Sequence, residues 1–488
     1  MTKKIFLIAA ILIIVLYALL LIPGKDAVIK INFSRKPFVW NQDDRWLELE
    51  RNFKLAKDEG CQSLSSQYLT ELGQGNSLLD SLSLISFNPD ASLYRRLEYN
   101  TFSLAIITAA CPNYLANLQE FTIKLRKEVK RQSVNWDMTS DSAQVITYRL
   151  LYGARAALEE VMLQVAIDSL PPLLNCNDEP SSTPFTRILG VTIHSGDILI
   201  SRGGAATSAL IARGSDYQGN FSHAALVYVD PKTNLASIIE SHIERGVTVS
   251  SLESYLKDKK LRVMILRLRH DLPLLIPDPL FPHRVAQAAL DEARNRHIAY
   301  DFAMDSNDNS KKFCSEVVLD PYAKAGVKLW AKTSHISSPG VASWLSGFGV
   351  THFDTQEPSD LEYDPQITVV AEWRDIETLY NDHIDNAVTD AMLEGAEKGD
   401  KLNYNIFLLP LARVAKAYSW ILNRFGAVGP VPEGMSAKGA MRNKYYTKEH
   451  DRIKTRTLEL ASRFQITNGY RPPYWELLQL AREAKKAL

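Results

Sequence analysis

This sequence has few cysteines and no net charge, and both features exclude several classes of protein. Four cysteines among 488 residues are too few for a scaffold held together by disulfides. Lys+Arg and Asp+Glu number 56 each, so the formal net charge is zero and no nucleic-acid partner is expected. The sequence also lacks a zinc knuckle, a phosphate-binding loop and an internal repeat. With 46% hydrophobic and 23% charged residues, the chain is expected to be globular.

The longest uncharged apolar run lies at the N-terminus, from Ile5 to Ile22. Its length is that of a transmembrane helix, which needs about 17–25 residues. A small-x-small cleavage site does not follow the run, so residues 1–24 are predicted to be an uncleaved signal anchor. A cleaved secretory signal is the alternative.

Charges on both sides of this run bear on its orientation. Lys3 and Lys4 precede the run and favour a cytoplasmic N-terminus, whereas Lys25 and Lys30 follow it and weaken that argument. We therefore predict a single-pass protein of the bacterial inner membrane, with its body in the periplasm or outside the cell. The alternative is a protein secreted after signal cleavage.

Composition divides the rest of the chain into two helical regions around a strand-rich centre. Residues 40–170, beginning at Trp40, carry apolar side chains at helical spacing. Proline and small polar residues cluster in 171–187, which is predicted to be a linker. Residues 188–375 contain short apolar runs separated by turns, and 376–488 return to a helical pattern. The sequence therefore predicts an α+β fold, with an antiparallel sheet and packed helices flanked by helical regions.

Individual elements of the centre are predicted from the same patterns. The predicted strands are 197–201, 223–229, 236–240, 246–249, 262–268 and 367–371. A helix is predicted over 282–295, because Val285, Ala289 and Ala293 share one face.

A second strongly apolar stretch lies at 406–425, where Arg413, Lys416 and Arg424 carry the charges. Pro410 argues against a helix that crosses the membrane here. Two interpretations stay open: a core helix of the C-terminal region, and a helix that lies on the membrane surface.

The first three cysteines carry no catalytic pattern. Cys61 and Cys111 both lie in the N-terminal helical region, where a disulfide is permitted if the chain is exported. Two buried thiols are an equally good interpretation of that pair. Cys176 lies in the predicted linker and has no metal-ligand spacing to a histidine.

Cys314 differs, because it opens a run that is predicted to be helical and follows Lys311 and Lys312. A thiol at a helix N-terminus meets the positive end of the helix dipole. Nearby cations act in the same direction, and both favour the nucleophilic thiolate. A buried core cysteine is the alternative.

A histidine and a carboxylate stand at the ends of two apolar strands and could assist such a thiol. His223 begins one strand, and a neutral imidazole can take a thiol proton and return it to a leaving group. Glu240 ends the next strand, where a carboxylate is costly unless it is paired, so it could orient the imidazole. His242 and Glu244 alternate with Glu240 and compete for this role. A purely structural role is the alternative for His223.

The order of short motifs in the centre is itself informative. They are Gly196-Asp197-Ile198-Leu199, Ser222-His223-Ala224-Ala225-Leu226-Val227, Glu240-Ser241, Tyr300-Asp301, Phe313-Cys314-Ser315-Glu316 and Glu357-Pro358-Ser359-Asp360-Leu361. Over residues 188–375 this pattern resembles the YiiX-like family of circularly permuted, NlpC-type, papain-like cysteine amidases and peptidases. In that family the histidine precedes the cysteine, as it does here.

This resemblance implies a permuted papain-like fold and a role for each motif. Cys314 is implied as the nucleophile, His223 as the base and Glu240 as the residue that orients the base. Tyr300 and Ser222 are expected beside the substrate or its oxyanion. The implied reaction cleaves an amide or ester through a thioacyl-enzyme, in cell-wall peptides or acyl lipids, and no cofactor or metal is expected.

Several functions stay open at this point. The first is a membrane-anchored cysteine hydrolase outside the cytoplasm, the second a thiol acyltransferase with the same residues, and the third a non-catalytic envelope protein. A metalloenzyme is disfavoured, because Glu240, His242 and Glu244 lack helical metal-ligand spacing. Predicted partners are a peptide or acyl-amide substrate and the membrane, through the N-terminal helix and also 406–425. The sequence leaves the oligomeric state open.

Overall fold

A computed structural model of the protein describes residues 2–24, 35–38, 44–165, 170–330, 332–425 and 427–488. Three residues used above, Lys25, Lys30 and Trp40, lie outside the described residues.

Helices form both flanks of the molecule and also pack on its central sheet. They are α1 (Thr2–Leu21), α2 (Asp44–Glu59), α3 (Cys61–Leu84), α4 (Ser92–Ala110), α5 (Leu115–Ser133), α6 (Asp141–Met162), α7 (Ala206–Arg213), α8 (Leu252–Lys257), α9 (Phe281–Asn295), α10 (Cys314–Lys324), α11 (Pro339–Phe348), α12 (Ile376–Glu397), α13 (Leu409–Arg424), α14 (Ala437–Asn468) and α15 (Tyr474–Lys486). In the first flank, α2 to α6 bury their apolar faces against one another, with Leu79, Leu97 and Leu125 fully buried. The second flank packs α11, α12, α14 and α15 around a separate core.

A disulfide joins two helices of the first flank. Cys61 is the first residue of α3 and Cys111 follows the last residue of α4. The two sulfurs are bonded, which decides between the two interpretations that the sequence left open for this pair. The bridge closes a loop of 50 residues in sequence.

Among the described residues, the centre of the molecule contains a seven-stranded antiparallel sheet and two small two-stranded sheets. The strands are β1 (Leu173–Asn175), β2 (Phe185–Ile188), β3 (Val191–His194), β4 (Ile198–Gly203), β5 (His223–Val229), β6 (Ala236–His242), β7 (Gly246–Ser251), β8 (Lys260–Leu268), β9 (Ser334–His335), β10 (Asp354–Thr355) and β11 (Ile367–Trp373). The strand order in the large sheet is β1-β11-β8-β4-β5-β6-β7. The sheet and its packed helices confirm the predicted α+β class, and all six predicted strands are present with bounds shifted by a few residues.

One strand of this sheet lies inside the predicted linker. β1 pairs with the edge of β11, Leu173 opposite Trp373 and Asn175 opposite Ala371. It has only three residues and follows two prolines, so it shows no alternating pattern that sequence could reveal.

Side chains from the two faces of the sheet enter different cores. Ile198 and Ile200 face α9 and α10 on one side, while Leu199 between them enters the core on the opposite side. The predicted helix over 282–295 is therefore confirmed as α9, which packs on the sheet. On the same face, the hydroxyl of Tyr322 on α10 donates to the carbonyl of Gly196 at 2.7 Å. This contact fixes α10 against the strands that carry the site.

The predicted membrane location is contradicted by the structure. In the ranges that the structure describes, no helix is long and apolar enough to cross a membrane. The prediction of a single-pass inner-membrane protein, anchored by residues 1–24, is therefore wrong.

The apolar stretch at 406–425 forms a short 3-10 turn followed by α13. Pro410 lies in the first turn of α13, where its missing N–H costs nothing. The helix contacts α1, because Arg413 donates to the carbonyls of Leu20 at 2.9 Å and Ile22 at 2.7 Å.

Candidate active site

The thiol of Cys314 lies against the start of strand β5. Cys314 is the first residue of α10, and Glu316 caps that helix by accepting from the Phe313 amide at 3.0 Å. The thiol donates to the Ser222 carbonyl at 3.8 Å, and the Ala224 amide hydrogen-bonds to the sulfur. The sulfur therefore contacts the backbone on both sides of His223, although it is ninety-one positions away in sequence.

The pKa of the Cys314 thiol is higher than the sequence suggested. Burial raises the pKa of Cys314 to about 12, against the opposing effect of the Ala224 amide. Lys312 does not assist, because its ammonium is buried against Glu292 at 2.8 Å. Lys311 pairs instead with Asp308 at 3.4 Å. The expectation that the lysines and the helix start favour a thiolate is therefore wrong for the resting site.

The imidazole of His223 and the carboxylate of Glu240 are hydrogen-bonded. Strands β5 and β6 are antiparallel neighbours with Ala225 opposite Glu240, so the sheet itself brings the two side chains together. The distance from His223 Nε2 to Glu240 Oε2 is 2.9 Å. Burial lowers the pKa of His223 despite this carboxylate, so the imidazole is neutral at pH 7. With Nε2 occupied, Nδ1 is the nitrogen that can accept a thiol proton.

Glu240 has two further partners. Burial disfavours its charge, but hydrogen bonds from His223 and His242 hold the pKa of Glu240 well below its usual range. His242 Nε2 lies 3.2 Å from Oε1, and the Ser250 hydroxyl donates to the same oxygen at 2.8 Å. His242 is therefore a second partner of the carboxylate rather than a competitor for its role. Glu244 lies on the turn that follows β6.

Tyr300 and Ser222 both lie beside the thiol but differ in what they offer. Burial and the neighbouring Cys314 raise the pKa of Tyr300 well above its usual value, so its phenol stays neutral and can donate. The Ser222 hydroxyl is hydrogen-bonded to the Ser208 hydroxyl. Ser222 thus meets the thiol through its carbonyl, which accepts a hydrogen bond and cannot stabilise an oxyanion.

Glu357 is a residue of the site to which the sequence assigned no role. Its side chain is buried and close enough to Cys314 and Tyr300 to affect the pKa of both. Burial and the adjacent Asp360 raise the pKa of Glu357 to about 8, so it is protonated at neutral pH. The Ser359 hydroxyl, which bonds to the Phe221 amide at 3.0 Å, holds this segment beside β5. The only signal in the sequence was the Glu357–Leu361 motif itself.

Metal ligands do not cluster in the described part of the chain. Within those ranges, no group of three or more histidine, cysteine, aspartate or glutamate side chains lies where it could hold a metal ion. The disfavoured metalloenzyme interpretation therefore gains no support from the side-chain placement.

Comparison with known proteins identifies the segment that carries this site. No curated protein matches the chain. Among solved structures, the chain is similar to "metalloprotein yiiX from Escherichia coli O157:H7", with 18% identity over 37% of this chain and 97% of that one, and a TM-score of 0.30. Residues 192–371 match the model of the "permuted papain-like amidase enzyme, YaeF/YiiX, C92 family", which confirms the resemblance drawn from the motifs. The matched segment is the strand-rich centre of this chain, it contains Cys314, His223 and Glu240, and it is similar to the permuted papain-like amidases of the C92 family.

Proposed function

We propose that this domain is a cysteine hydrolase in which Cys314, His223 and Glu240 cleave an amide or ester bond through a thioacyl-enzyme. One observation carries the proposal. The Cys314 sulfur contacts the backbone on both sides of His223, while the His223 ring is bonded through Nε2 to Glu240 at 2.9 Å. A nucleophile, a base and an orienting carboxylate in this order are the parts of a catalytic triad.

The first step forms the thioacyl-enzyme. The resting sulfur keeps its proton, so the neutral imidazole of His223 removes it as the sulfur attacks the carbonyl carbon. The carboxylate of Glu240 stays ionised and stabilises the imidazolium that forms. The imidazolium then gives its proton to the leaving amine or alkoxide. Water, activated by the same imidazole, attacks the thioester and releases the acid.

Negative charge on the carbonyl oxygen needs donors during both attacks. The Cys314 backbone amide at the start of α10 is one donor, because the first amides of a helix have no partner within it. The neutral phenol of Tyr300 is the second, and Ser222 helps to place the thiol through its carbonyl. The proposed substrate is an amide in a peptide or an acyl amide, the class that the family description names.

A thiol acyltransferase remains the second candidate, because the same thioacyl-enzyme can pass its acyl group to an amine. Hydrolysis of p-nitrophenyl butyrate, followed with and without an added amine, separates the two. The proposal predicts butyrate as the product whether or not the amine is present. If butyrate is not released without the amine, and an N-substituted butyramide forms when the amine is added, the site belongs to a transferase.

A matched pair of variants tests whether Cys314 is the nucleophile. Both Cys314 and Cys176 are buried free thiols, and Cys176 lies outside the site. Cys314→Ala is expected to lower the hydrolysis rate by at least about a hundredfold, because the covalent step is lost. Cys176→Ala is expected to keep the rate within about twofold, because the Cys176 sulfur contacts Arg126 and the Leu174 carbonyl and none of the three site residues. Equal rates for the two variants would show that the domain is a non-catalytic scaffold.

A further inference from the structure

A segment from outside the matched residues 192–371 contacts the site on two sides. We call residues 429–435 the strap; it follows α13 and precedes α14. The Glu433 amide donates to the Glu244 carbonyl at 3.4 Å, on the turn that follows β6. A Cβ placed on Gly434 would lie 2.9 Å from the Tyr300 carbonyl oxygen and 2.8 Å from Phe302 Cδ2. The strap therefore connects the strand that carries Glu240 with the segment that carries Tyr300.

The strap is held in place at several points. The Glu433 carboxylate bonds to His297 Nε2 at 2.8 Å. Lys416 of α13 donates to the Glu433 carbonyl at 2.5 Å, and the Val431 amide donates to the Ser419 hydroxyl at 2.9 Å. Two prolines, at positions 430 and 432, restrict its backbone. These contacts make the strap a stiff element rather than a mobile loop end.

Access to the sulfur is narrow in this arrangement. Cys314 is only 5% exposed, although a nucleophile must meet its substrate. Tyr300 lies close to Cys314 along the backbone, because its neighbours Ala299 and Asp301 hydrogen-bond to Lys312 at 3.0 and 3.3 Å, and the strap packs against Tyr300 through Gly434. The Tyr300 side of the site is therefore bounded by a segment that lies outside the matched residues 192–371.

We propose that the strap is a specificity-determining wall of the active-site cleft, which restricts access to Cys314 to slender, unbranched acyl or peptide chains. The substrate part of this inference rests on the proposed function. The access part does not, because the reach of a reagent to the thiol depends on geometry alone.

Alkylation of Cys314 by two reagents of different size tests the wall. Iodoacetamide is the small reagent and a fluorescein maleimide the bulky one, both applied at pH 9 in a Cys176→Ser background with the disulfide intact. Lys416→Met removes the ammonium that donates to the Pro432 and Glu433 carbonyls, and Glu433→Ala removes the carboxylate that bonds to His297. Each loss is expected to raise the population of molecules whose strap has moved away from Tyr300 by about tenfold. The rate with the maleimide is expected to rise about tenfold, and that with iodoacetamide less than about twofold.

Glu449→Ala is the matched control, because it removes a surface ion pair of similar exposure, with Arg452 at 2.9 Å on α14. It is expected to change neither rate. Gly434→Val gives an independent check: its side chain cannot fit behind Tyr300, so the strap must move away and the maleimide rate must rise. Thermal unfolding of each variant shows whether the fold is intact.

If the ratio of the maleimide rate to the iodoacetamide rate is unchanged in folded strap variants, the proposal that the strap is a wall of the cleft is wrong. A parallel rise in both rates would overturn it as well, since that is general loosening and not selective access. The outcome is independent of catalysis. If the ratio changes as predicted but p-nitrophenyl butyrate is not hydrolysed, the wall stands and the proposed hydrolase fails.

Discussion

At the residue scale, the chemistry of the site depends on where one proton resides. Burial raises the pKa of Cys314 and lowers that of His223, so at rest the sulfur keeps its proton and the imidazole is neutral. Glu240 remains a carboxylate under the same conditions. The proton must therefore move while the sulfur attacks, and the stability of the imidazolium controls the rate.

The pH dependence of thiol alkylation follows from this protonation state. Only the thiolate reacts, and with a pKa of about 12 its fraction increases about tenfold for each pH unit over the range accessible to the folded protein. Iodoacetamide rates for Cys314 are expected to rise steadily from about pH 6 to about pH 9. A plateau reached near neutrality would show a preformed thiolate and refute this view of the resting site.

Glu240 is expected to matter far more for turnover than for binding. Glu240→Gln keeps the shape but loses the charge that stabilises the imidazolium, so the rate is expected to fall by about a hundredfold or more. Ser250→Ala removes a neutral hydrogen bond to the same carboxylate. Its hydrolysis rate is expected to fall less than tenfold, which corresponds to about 1 kcal/mol in the activation free energy. Steady-state hydrolysis of p-nitrophenyl butyrate compares them. Similar losses in the two variants would argue against a charge-dependent role.

Glu357 makes the stability of the protein sensitive to pH. Its pKa of about 8 in the folded state lies above the value of an unfolded glutamate, so the folded state binds more protons between about pH 4 and pH 8. Stability attributable to this group is present at low pH and is lost as the pH rises through 8.

Glu357→Gln removes this titration and keeps the backbone amide that donates to Asp360 Oδ2 at 2.8 Å. Between pH 5 and pH 8.5 the free energy of unfolding is expected to fall by a few kcal/mol more in the wild type than in this variant. Denaturant unfolding at both pH values measures the difference. The exposed Glu253→Gln should behave like the wild type, and a Glu357→Gln variant that does the same would contradict the raised pKa.

At the scale of elements, the sheet is the part of the fold that sequence predicts well. β5 is an apolar run that begins with His223, and β6 carries Glu240 directly after the apolar pair Ile238-Ile239, so both strands and the placement of the two side chains could be predicted. The start of α10 at Cys314 was visible for the same reason. The three-residue strand β1 was not, because its pairing with β11 joins residues about 200 positions apart.

The parts of the site that sequence could not predict depend on burial. A raised thiol pKa follows from neighbours brought together by packing, whereas the sequence showed only the adjacent Lys311 and Lys312. The proton on Glu357 has the same origin. The strap contacts Tyr300 through Gly434, and a glycine far along the chain gives no sign of its neighbour.

The disulfide between α3 and α4 should contribute strongly to the stability of the first helical flank. For a loop of 50 residues, loss of the cross-link is expected to cost about 4 kcal/mol. The double variant Cys61→Ser/Cys111→Ser, compared with Cys176→Ser in denaturant unfolding, measures this cost. Equal stability of the two would mean that the bridge does not restrain the unfolded chain.

At the scale of the whole molecule, buried ion pairs attach the helical flanks to the central sheet. Arg262 of β8 bonds to Glu159 of α6 at 2.9 Å and to Asp382 of α12 at 3.0 Å. Each flank thus supplies a carboxylate to one arginine of the sheet. Buried pairs of this kind fix relative position more than they add stability. The proposed role of the strap needs such a fixed position, because α13 and the strap belong to a flank while the site lies in the strand-rich centre.

The most direct test of the account is to find where an acyl group resides during turnover. Wild-type protein mixed with p-nitrophenyl butyrate, quenched with acid and mapped by mass spectrometry, is expected to carry one butyryl group on Cys314. His223→Ala should slow the formation of this adduct by at least about a hundredfold, and Cys176→Ala should not change it. A butyryl group found on Cys176, or one that reaches Cys314 at the wild-type rate without His223, would contradict the account.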